Sequence, residues 1–195
     1  MKKIAKFEKV SYEQFEKDFT DTFPMYQSCD YVRGIYNGIK LPKRATKGSA
    51  GYDFFSPINF TLKPGETVKI PTGIRVYMEE GWVLKCYPRS GLGFKYRLQL
   101  NNTVGIIDSD YYGSDNEGHI FAKITNDSNE NKVVIITNGS GFMQGIFVEY
   151  GITFDDDCDG VRNGGFGSTY KSESIYNSCL NFDYYDADLG CTMPS

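Results

Sequence analysis

Three short segments of the chain combine side chains that could bind phosphate and activate water. The first, Pro88-Arg89-Ser90-Gly91-Leu92-Gly93, places a guanidinium, a hydroxyl group and exposed backbone N–H groups in one turn. Phosphate oxygens accept hydrogen bonds from such donors. Because glycine-rich turns after strands are common in β proteins, this segment alone is weak evidence for a phosphate site.

The second segment, Gly105-Ile106-Ile107-Asp108-Ser109-Asp110-Tyr111, is an apolar strand that delivers two carboxylates and an aromatic ring into the following turn. A carboxylate at the end of a strand can orient a water molecule or hold a metal ion. Aspartate is also a common turn former, and that is the more frequent explanation of such a segment taken alone. A chemical role for Asp108 therefore needs support from other segments.

The third segment, residues 162–169, contains a guanidinium, flexible backbone, one aromatic ring and two hydroxyl groups. On a mobile arm, these groups could close over a ligand, with Phe166 stacking on a base and the rest binding phosphate. A glycine- and serine-rich linker is the simpler explanation, although Phe166 fits a linker less well.

The elements that would position these residues are mostly β-strands. From Leu41 onward, glycine, proline and asparagine recur at short intervals between β-rich runs, and no helical run of three turns occurs between residues 41 and 155. This pattern is typical of an all-β sandwich or barrel. Pro64-Gly65 and Glu80-Gly81 predict hairpin turns. The runs are FFSPINFTL, ETVKIPTGIRVYM, WVLKCYP, HIFAKIT, KVVIIT and FMQGIFVEYGITF.

The two ends of the chain differ from this middle part. Residues 11–20 predict a short helix, because Ser11 and Gln14 fit a capping box and Tyr12, Phe15 and Phe19 fall on one face. After residue 155 the chain has too few aliphatic residues to close a core. We therefore predict an N-terminal extension over 1–40, a β domain over 41–155, and a flexible C-terminal arm and tail over 156–195.

Composition excludes several classes of function. The net charge is −4 and no basic tract of five residues occurs, which argues against duplex DNA binding and leaves nucleotide binding open. The five cysteines are odd in number and far apart and there is one histidine, so zinc is not indicated and a structural or incidental role for the cysteines is expected. No segment has membrane-spanning length, and the N-terminus has no apolar signal-peptide core. The expected compartment is the cytoplasm of a cell or of a phage-infected host.

Five segments together resemble the motifs of the trimeric dUTP diphosphatase (dUTPase) family, in that family's order and at similar spacing. They are Ala50-Gly51-Tyr52-Asp53, PRSGLG at 88–93, GIIDSDYYG at 105–113, the region of Gln144, and NGGFGST at 163–169. Two of them depart from the family pattern. Gly141 stands where a basic residue usually precedes the glutamine, and Arg162 lies one residue closer to the paired glycines, with Tyr170 in place of a glycine.

The resemblance implies a β jelly-roll or barrel that forms a homotrimer, with each site built from three subunits. It implies dUTP as substrate, dUMP and pyrophosphate as products, and Mg²⁺ as cofactor. Asp108 would orient the attacking water, while Arg89, Ser90, Gly91 and Gln144 would hold the phosphates. The metal would be held by phosphates and waters, with Asp53 contacting it only indirectly and no direct protein ligand.

The resemblance also assigns the nucleoside contacts. Backbone groups around Asn102 and Gly105 would recognise uracil, and Tyr111 would pack on the deoxyribose and exclude a 2′-hydroxyl. From the arm, Phe166 would stack over the base, and Arg162, Gly167 and Ser168 would bind phosphate.

Two other functions remain open at this point. The dCTP deaminases are similar in fold, but their chemistry needs a carboxylate on the strand after the third motif, where this chain has Lys123. A jelly-roll interaction protein, such as a phage regulator that docks a protein partner through the N-terminal helix or the tyrosine-rich tail (Tyr176, Tyr184, Tyr185), is an alternative from a different class.

Overall fold

The computed structural model describes residues 2–26 and 28–164. Within them the chain is mostly antiparallel β-structure with a few short helices, as the sequence predicts. The first strands are β1 (Ala5–Lys9), β2 (Lys43–Arg44), β3 (Tyr52–Phe55), β4 (Phe60–Leu62), β5 (Thr67–Pro71) and β6 (Ile74–Met78). The later strands are β7 (Trp82–Pro88), β8 (Leu98–Leu100), β9 (Gly105–Ile107), β10 (Phe121–Asn126), β11 (Val134–Ile136) and β12 (Gly141–Glu149).

The strands form one larger sheet and three small ones. The five-stranded sheet has the order β2-β3-β12-β7-β9, and a three-stranded sheet has the order β5-β10-β8. Two further pairs are β1 with β6 and β4 with β11. Strands distant in sequence are therefore neighbours in space, which brings the predicted motifs together.

Both predicted hairpins are wrong, although both turns exist. Gly65 and Gly81 have φ values of 82° and 84°, a region that favours glycine. The strands on either side of each turn, however, pair with other partners: β4 with β11, β5 with β10, β6 with β1, and β7 with β12 and β9. Each turn thus moves the chain from one sheet to another, which local sequence signals do not distinguish from a hairpin.

The predicted N-terminal helix is present as α1 (Tyr12–Thr22). The Ser11 hydroxyl accepts a hydrogen bond from the Gln14 backbone N–H at 3.1 Å, which caps the helix. Phe15 and Phe19 are fully buried on the predicted face and belong to the same apolar cluster as the strand residues Phe54, Leu84 and Phe142. The extension is therefore packed into the core, and the boundaries at residues 40 and 155 stay predictions.

Two further helices were not predicted. The first is α2 (Cys29–Gly38), in which Val32 is fully buried and Ile35 and Tyr36 are partly buried. The helical spacing of these three apolar residues was a signal for this helix, but Gly34, a poor helix former, weakened it. In α3 (Ser90–Tyr96) the segment expected to be a simple turn continues for two helical turns. A 3-10 helix, η1 (Ser109–Gly113), follows β9.

Candidate functional site

Sheet register brings three of the predicted motifs to one place. Strand β12 lies between β3 and β7, and Gln144 pairs with Asp53 on one side and with Tyr87 on the other. Met143 pairs with Pro88, so that Arg89 follows directly at the end of β7. Segments 50–53, 88–93 and 141–144 are far apart in sequence, and they meet because their strands are neighbours in this sheet.

Arg89 is at the centre of this group. Its Nε lies 3.1 Å from Asp53 Oδ1, and its Nη1 donates a hydrogen bond to the Gly141 carbonyl oxygen at 3.2 Å. The Arg89 side chain is still 43% exposed, so the remaining guanidinium N–H groups lie at the surface. Asp53 therefore orients a cation that is accessible to an anionic ligand.

Two glycines make this close packing possible. A Cβ atom on Gly51 would lie 2.7 Å from Gln144 Oε1, and a Cβ atom on Gly141 would lie 2.7 Å from Arg89 Nη1. The departure at Gly141 thus has a physical explanation: Arg89 occupies the space that a side chain at position 141 would need. The Gln144 side chain is held in its orientation by a hydrogen bond that its Nε2 donates to the Pro88 carbonyl oxygen at 3.2 Å.

Ser90 and Gly91 begin helix α3 and are exposed beside Arg89. Arg89 and Ser90 border a depression of about 340 Å³ that is also lined by Pro88, Gly93, Phe94 and Leu98. The structure therefore brings the hydroxyl and the guanidinium of the first predicted segment to one surface.

Asn102 and Gly105 line a separate cavity of about 380 Å³. Its walls include Cys86, Ile107 and Met143, which belong to β7, β9 and β12. A Cβ atom on Gly105 would lie 3.1 Å from Cys86 Cβ, so the glycine lets β9 approach β7 closely. Burial raises the pKa of the Cys86 thiol to about 12, so the thiol is a neutral wall of the cavity.

Tyr111 lies in η1 and is almost completely buried. Its hydroxyl donates to the His119 carbonyl oxygen at 2.8 Å and accepts from Asn116 Nδ2 at 2.8 Å. Burial raises the pKa of Tyr111, so the phenol stays protonated and keeps the ring in one orientation.

Asp108 follows β9 directly and meets the C-terminal segment of the same chain. Arg162 Nη2 donates to Asp108 Oδ2 at 2.5 Å, and Arg162 Nε lies 2.9 Å from Asp110 Oδ1 without the alignment of a hydrogen bond. These three residues border a cavity of about 530 Å³ together with Met78, Glu80, Ser109 and Tyr150. Phe166, Gly167 and Ser168 lie outside the described residues.

The structure separates Asp108 from Arg89 within one chain. Ile107 pairs with Leu84, so Asp108 follows next to Val83, whereas Arg89 lies beyond the other end of β7. Six residues of a strand span roughly 20 Å. The carboxylate and the Arg89 group of one chain therefore lie too far apart to act on the same phosphate.

In residues 2–26 and 28–164 no group of three or more His, Cys, Asp or Glu side chains could hold a metal ion. The same residues contain no helix that is both long and apolar enough to cross a membrane. Sequence reasoning had missed the cavity walls at Cys86 and Met143 and the Asn116 contact to Tyr111. Strand alternation marks Cys86 as buried, but it does not say which cavity Cys86 lines. At Met143 the irregular register of β12 breaks the alternation, since the neighbouring Phe142 is buried as well.

The antiparallel β fold carries an oriented arginine beside an exposed serine, and a cavity next to a strand-end carboxylate, an arrangement compatible with nucleotide binding. Residues 37–170 match the family model described as dUTPase. Since this match covers more than half of the chain, the protein belongs to the dUTPase family. The all-β fold predicted from the sequence is thus confirmed as the fold of this family.

Individual relatives agree with this assignment. Deoxyuridine 5′-triphosphate nucleotidohydrolase from Lactococcus lactis subsp. lactis is 44% identical over 135 residues, covering 68% of this chain and 89% of the relative. The protein of the same name from Hahella chejuensis is 40% identical over 141 residues, covering 68% and 88%.

Solved structures show the same fold. The dUTPase from Streptococcus mutans has a TM-score of 0.55 at 32% identity, covering 75% of this chain and 97% of that one. The dUTPase of Staphylococcus bacteriophage 80alpha with dUpNHpp has a TM-score of 0.56 at 21% identity, covering 86% and 98%. At that lower identity the phage protein supports the shared fold alone.

Proposed function

We propose that this protein hydrolyses dUTP to dUMP and pyrophosphate with the help of Mg²⁺. The observation that carries the proposal is the layout of strand β9, which has the Asn102–Gly105 cavity along it and Asp108 at its end. The matched relatives are named for this activity and are covered over most of their length. Removal of dUTP would keep uracil out of DNA and supply dUMP for dTMP synthesis, and we place this activity in the cytoplasm.

Uracil would enter the cavity bounded by Asn102 and Gly105. The backbone of the loop between β8 and β9 can offer the base a donor and an acceptor, as a pairing base does, while Cys86, Ile107 and Met143 supply apolar walls. Tyr111 would pack on the deoxyribose. Because its hydroxyl is held from two sides, the ring cannot move aside easily for a 2′-hydroxyl, and steric rejection of an added group is the simplest form of this selectivity.

Asp108 would orient the water that attacks the α-phosphorus and accept its proton. Positioning and charge stabilisation matter more than covalent chemistry in phosphoryl transfer, and a carboxylate suits this role. Arg89 and Ser90 would bind the phosphate chain, with Gly91 allowing close approach and Gln144 contributing a neutral donor. Asp53 supports Arg89 through their ion pair.

Phosphates bound by Arg89 would need Asp108 from another copy of the chain, because the two residues of one chain are roughly 20 Å apart by strand register. A homotrimer with sites between subunits satisfies this requirement. Large exposed apolar side chains, among them Phe94, Ile106 and Ile135, would be covered in such an assembly.

The residues fit a Mg²⁺ ion that arrives with the substrate. Mg²⁺ in nucleotide sites keeps several waters and binds phosphate oxygens with one or two carboxylates, and the described residues contain no cluster of three or more candidate metal ligands. Asp53 would contact the waters of the ion. The ion would neutralise charge on the phosphates, and no protein side chain need bind it directly.

The arm would complete the site. Phe166 would stack over the base, and Gly167 and Ser168 would bind phosphate. Arg162 would bind phosphate only after leaving Asp108, with which it pairs in the described structure.

The deaminase alternative is disfavoured by one observation. Lys123 lines the same cavity as Asn102 and Gly105, and an ammonium group cannot act there as the carboxylate that a pyrimidine deaminase needs. A role in docking a regulatory protein stays a prediction from the sequence.

The test is Mg²⁺-dependent pyrophosphate release by the full chain, comparing dUTP with UTP, dTTP and dCTP. We expect release from dUTP alone, and a loss of about 10²- to 10⁴-fold in kcat for Asp108→Asn, the range typical of a general base. Conversion of dCTP to dUTP with dUTP left intact would overturn the proposal. Near wild-type hydrolysis by Asp108→Asn would remove Asp108 from its role.

A further inference from the structure

Helix α1 lies before residues 37–170, which match the family model, yet it contacts the loop that follows Tyr111. Phe15 and Phe19 bury one face of the helix completely. Ser11, which caps α1, bonds Glu117, and Asp18 within the helix bonds His119; both partners belong to the matched part of the chain.

His119, the single histidine of the chain, is fully buried and bonded at both ring nitrogens. The Gly73 backbone N–H donates to Nε2 at 2.7 Å. Because a nitrogen that accepts carries no proton, the proton of the neutral ring is on Nδ1. Nδ1 lies 2.5 Å from Asp18 Oδ2, so Asp18 accepts this proton in a hydrogen bond and helps to fix the ring plane.

Asp18 is itself held in place. Gln14 Nε2, one helical turn earlier, donates to the same Asp18 oxygen at 2.8 Å. Burial opposes the charge, but the hydrogen bonds from His119 and Gln14 outweigh it and lower the pKa of Asp18. The carboxylate is therefore charged at neutral pH and remains an acceptor for His119.

The chain of contacts continues to Tyr111. The Tyr111 hydroxyl donates to the backbone carbonyl of His119 at 2.8 Å, and the Tyr111 backbone N–H donates to the Asp108 carbonyl at 3.2 Å. The His119 backbone is thus one of the two groups that hold the Tyr111 hydroxyl, and Asn116 is the other.

A second contact attaches the start of α1 to the same loop. The Ser11 backbone N–H and hydroxyl donate to the two oxygens of Glu117 at 2.7 and 2.6 Å. Glu117 has a φ of 57°, a conformation that needs such support in a residue other than glycine.

We infer that Asp18, in the N-terminal extension, is a positioning residue for the sugar-binding side of the active site. It acts through His119 on Tyr111. This inference rests on the proposed function, in which Tyr111 excludes the 2′-hydroxyl of ribonucleotides.

The main test measures kcat/KM for dUTP and for UTP in wild type, Asp18→Ala, Asp18→Asn and Glu16→Ala. Asp18→Ala should lower the ratio of the kcat/KM values for dUTP and UTP by about tenfold. A larger effect is not expected, because even a displacement of about 1 Å in an active site costs roughly a hundredfold. Asp18→Asn should recover most of the ratio, because its amide oxygen can still accept from Nδ1. Glu16 is on the same helix and bonds Tyr12 instead, so Glu16→Ala should leave the ratio unchanged.

A second readout does not depend on turnover. With one histidine in the chain, ¹⁵N NMR of labelled histidine reports a single imidazole. In wild type and Asp18→Asn the Nδ1 proton should be hydrogen-bonded and protected from exchange with solvent. In Asp18→Ala this proton should lose its partner and exchange faster, while Nε2 still accepts from Gly73. This readout applies to Asp18→Asn even if Asp18→Ala does not fold.

The possible failures are distinguishable. If wild type leaves dUTP intact, the proposed function is wrong. If wild type hydrolyses dUTP and Asp18→Ala keeps its dUTP-to-UTP ratio, or Glu16→Ala loses the ratio equally, Asp18 is merely structural and the inference is wrong.

Discussion

Arg162 reaches back to Asp108 of its own chain, with Nη2 placed 2.5 Å from Oδ2. The guanidinium also lies against Asp110. Asp108 is the carboxylate proposed to orient the attacking water, so in this arrangement a cation of the C-terminal arm covers the group that would do the chemistry. Arg162 thus lies beside Asp108 in the space that the attacking water and the substrate would need under the proposed function.

Replacing Arg162 by alanine should release the described part of the arm. Both ion pairs of Arg162 would be lost. Chymotrypsin should then cleave the chain faster after Phe154, which is fully exposed, and mass spectrometry of the fragments measures the rate. kcat/KM for dUTP should fall by about 10- to 100-fold, the equivalent of one hydrogen bond to a charged group. Arg162→Lys keeps the positive charge but lacks the planar guanidinium, so its kcat/KM should lie between those of wild type and Arg162→Ala. Wild-type cleavage kinetics in Arg162→Ala would mean that the ion pairs do not hold the arm.

Gly141→Ala should disturb Arg89 without altering any polar side chain. The added methyl group would lie 2.7 Å from Arg89 Nη1, so the guanidinium must shift from the position in which it pairs with Asp53 and is proposed to bind phosphate. We expect kcat/KM for dUTP to fall by about tenfold, because small displacements of a positioning group are costly. Gly48→Ala is the matched control, since a Cβ atom there meets nothing within 4 Å. Equal activity in both variants would show that Arg89 tolerates the displacement.

Much of the fold and site was predictable from local patterns. The strand-rich middle, helix α1 with its Ser11 cap, and the grouping of Asp53, Arg89 and Gln144 follow from residue type, spacing and family resemblance. What was missed depends on long-range pairing. The turn at Gly65 joins strands of different sheets, and no signal near Pro64 carries that information. Likewise, the Asp18–His119 pair joins positions 101 residues apart.

Cys86 should resist alkylation while the protein is folded. Burial raises its pKa to about 12, and only the thiolate reacts appreciably with iodoacetamide. Cys29 and Cys158 are exposed and should be modified first at about pH 8. Peptide mass spectrometry before and after addition of urea measures the difference. Rapid labelling of Cys86 in the native protein would mean that the cavity beside Gly105 opens readily to solvent.

Acid should weaken the attachment of helix α1 before it unfolds the sheets. Asp18 and Glu117 both have a lowered pKa, although burial opposes the charge of each carboxylate. Hydrogen bonds from His119 and Gln14 outweigh burial at Asp18, and those from Ser11 outweigh it at Glu117. A carboxyl group with a lowered folded-state pKa stabilises the fold above its unfolded pKa, and this contribution is lost as the pH falls through the folded value. The unfolded values are near 3.8 and 4.5.

The measurement is urea unfolding at several pH values between about 7 and 3, comparing wild type with the double variant Asp18→Asn, Glu117→Gln. The wild-type free energy of unfolding should decline steeply over the lower half of this range. The double variant should be less stable at neutral pH and should depend less on pH, because it has lost both titrating groups. Asp21→Asn, at an exposed position of the same helix, should follow wild type. A double variant with the wild-type pH dependence would show that the acid sensitivity arises elsewhere in the chain.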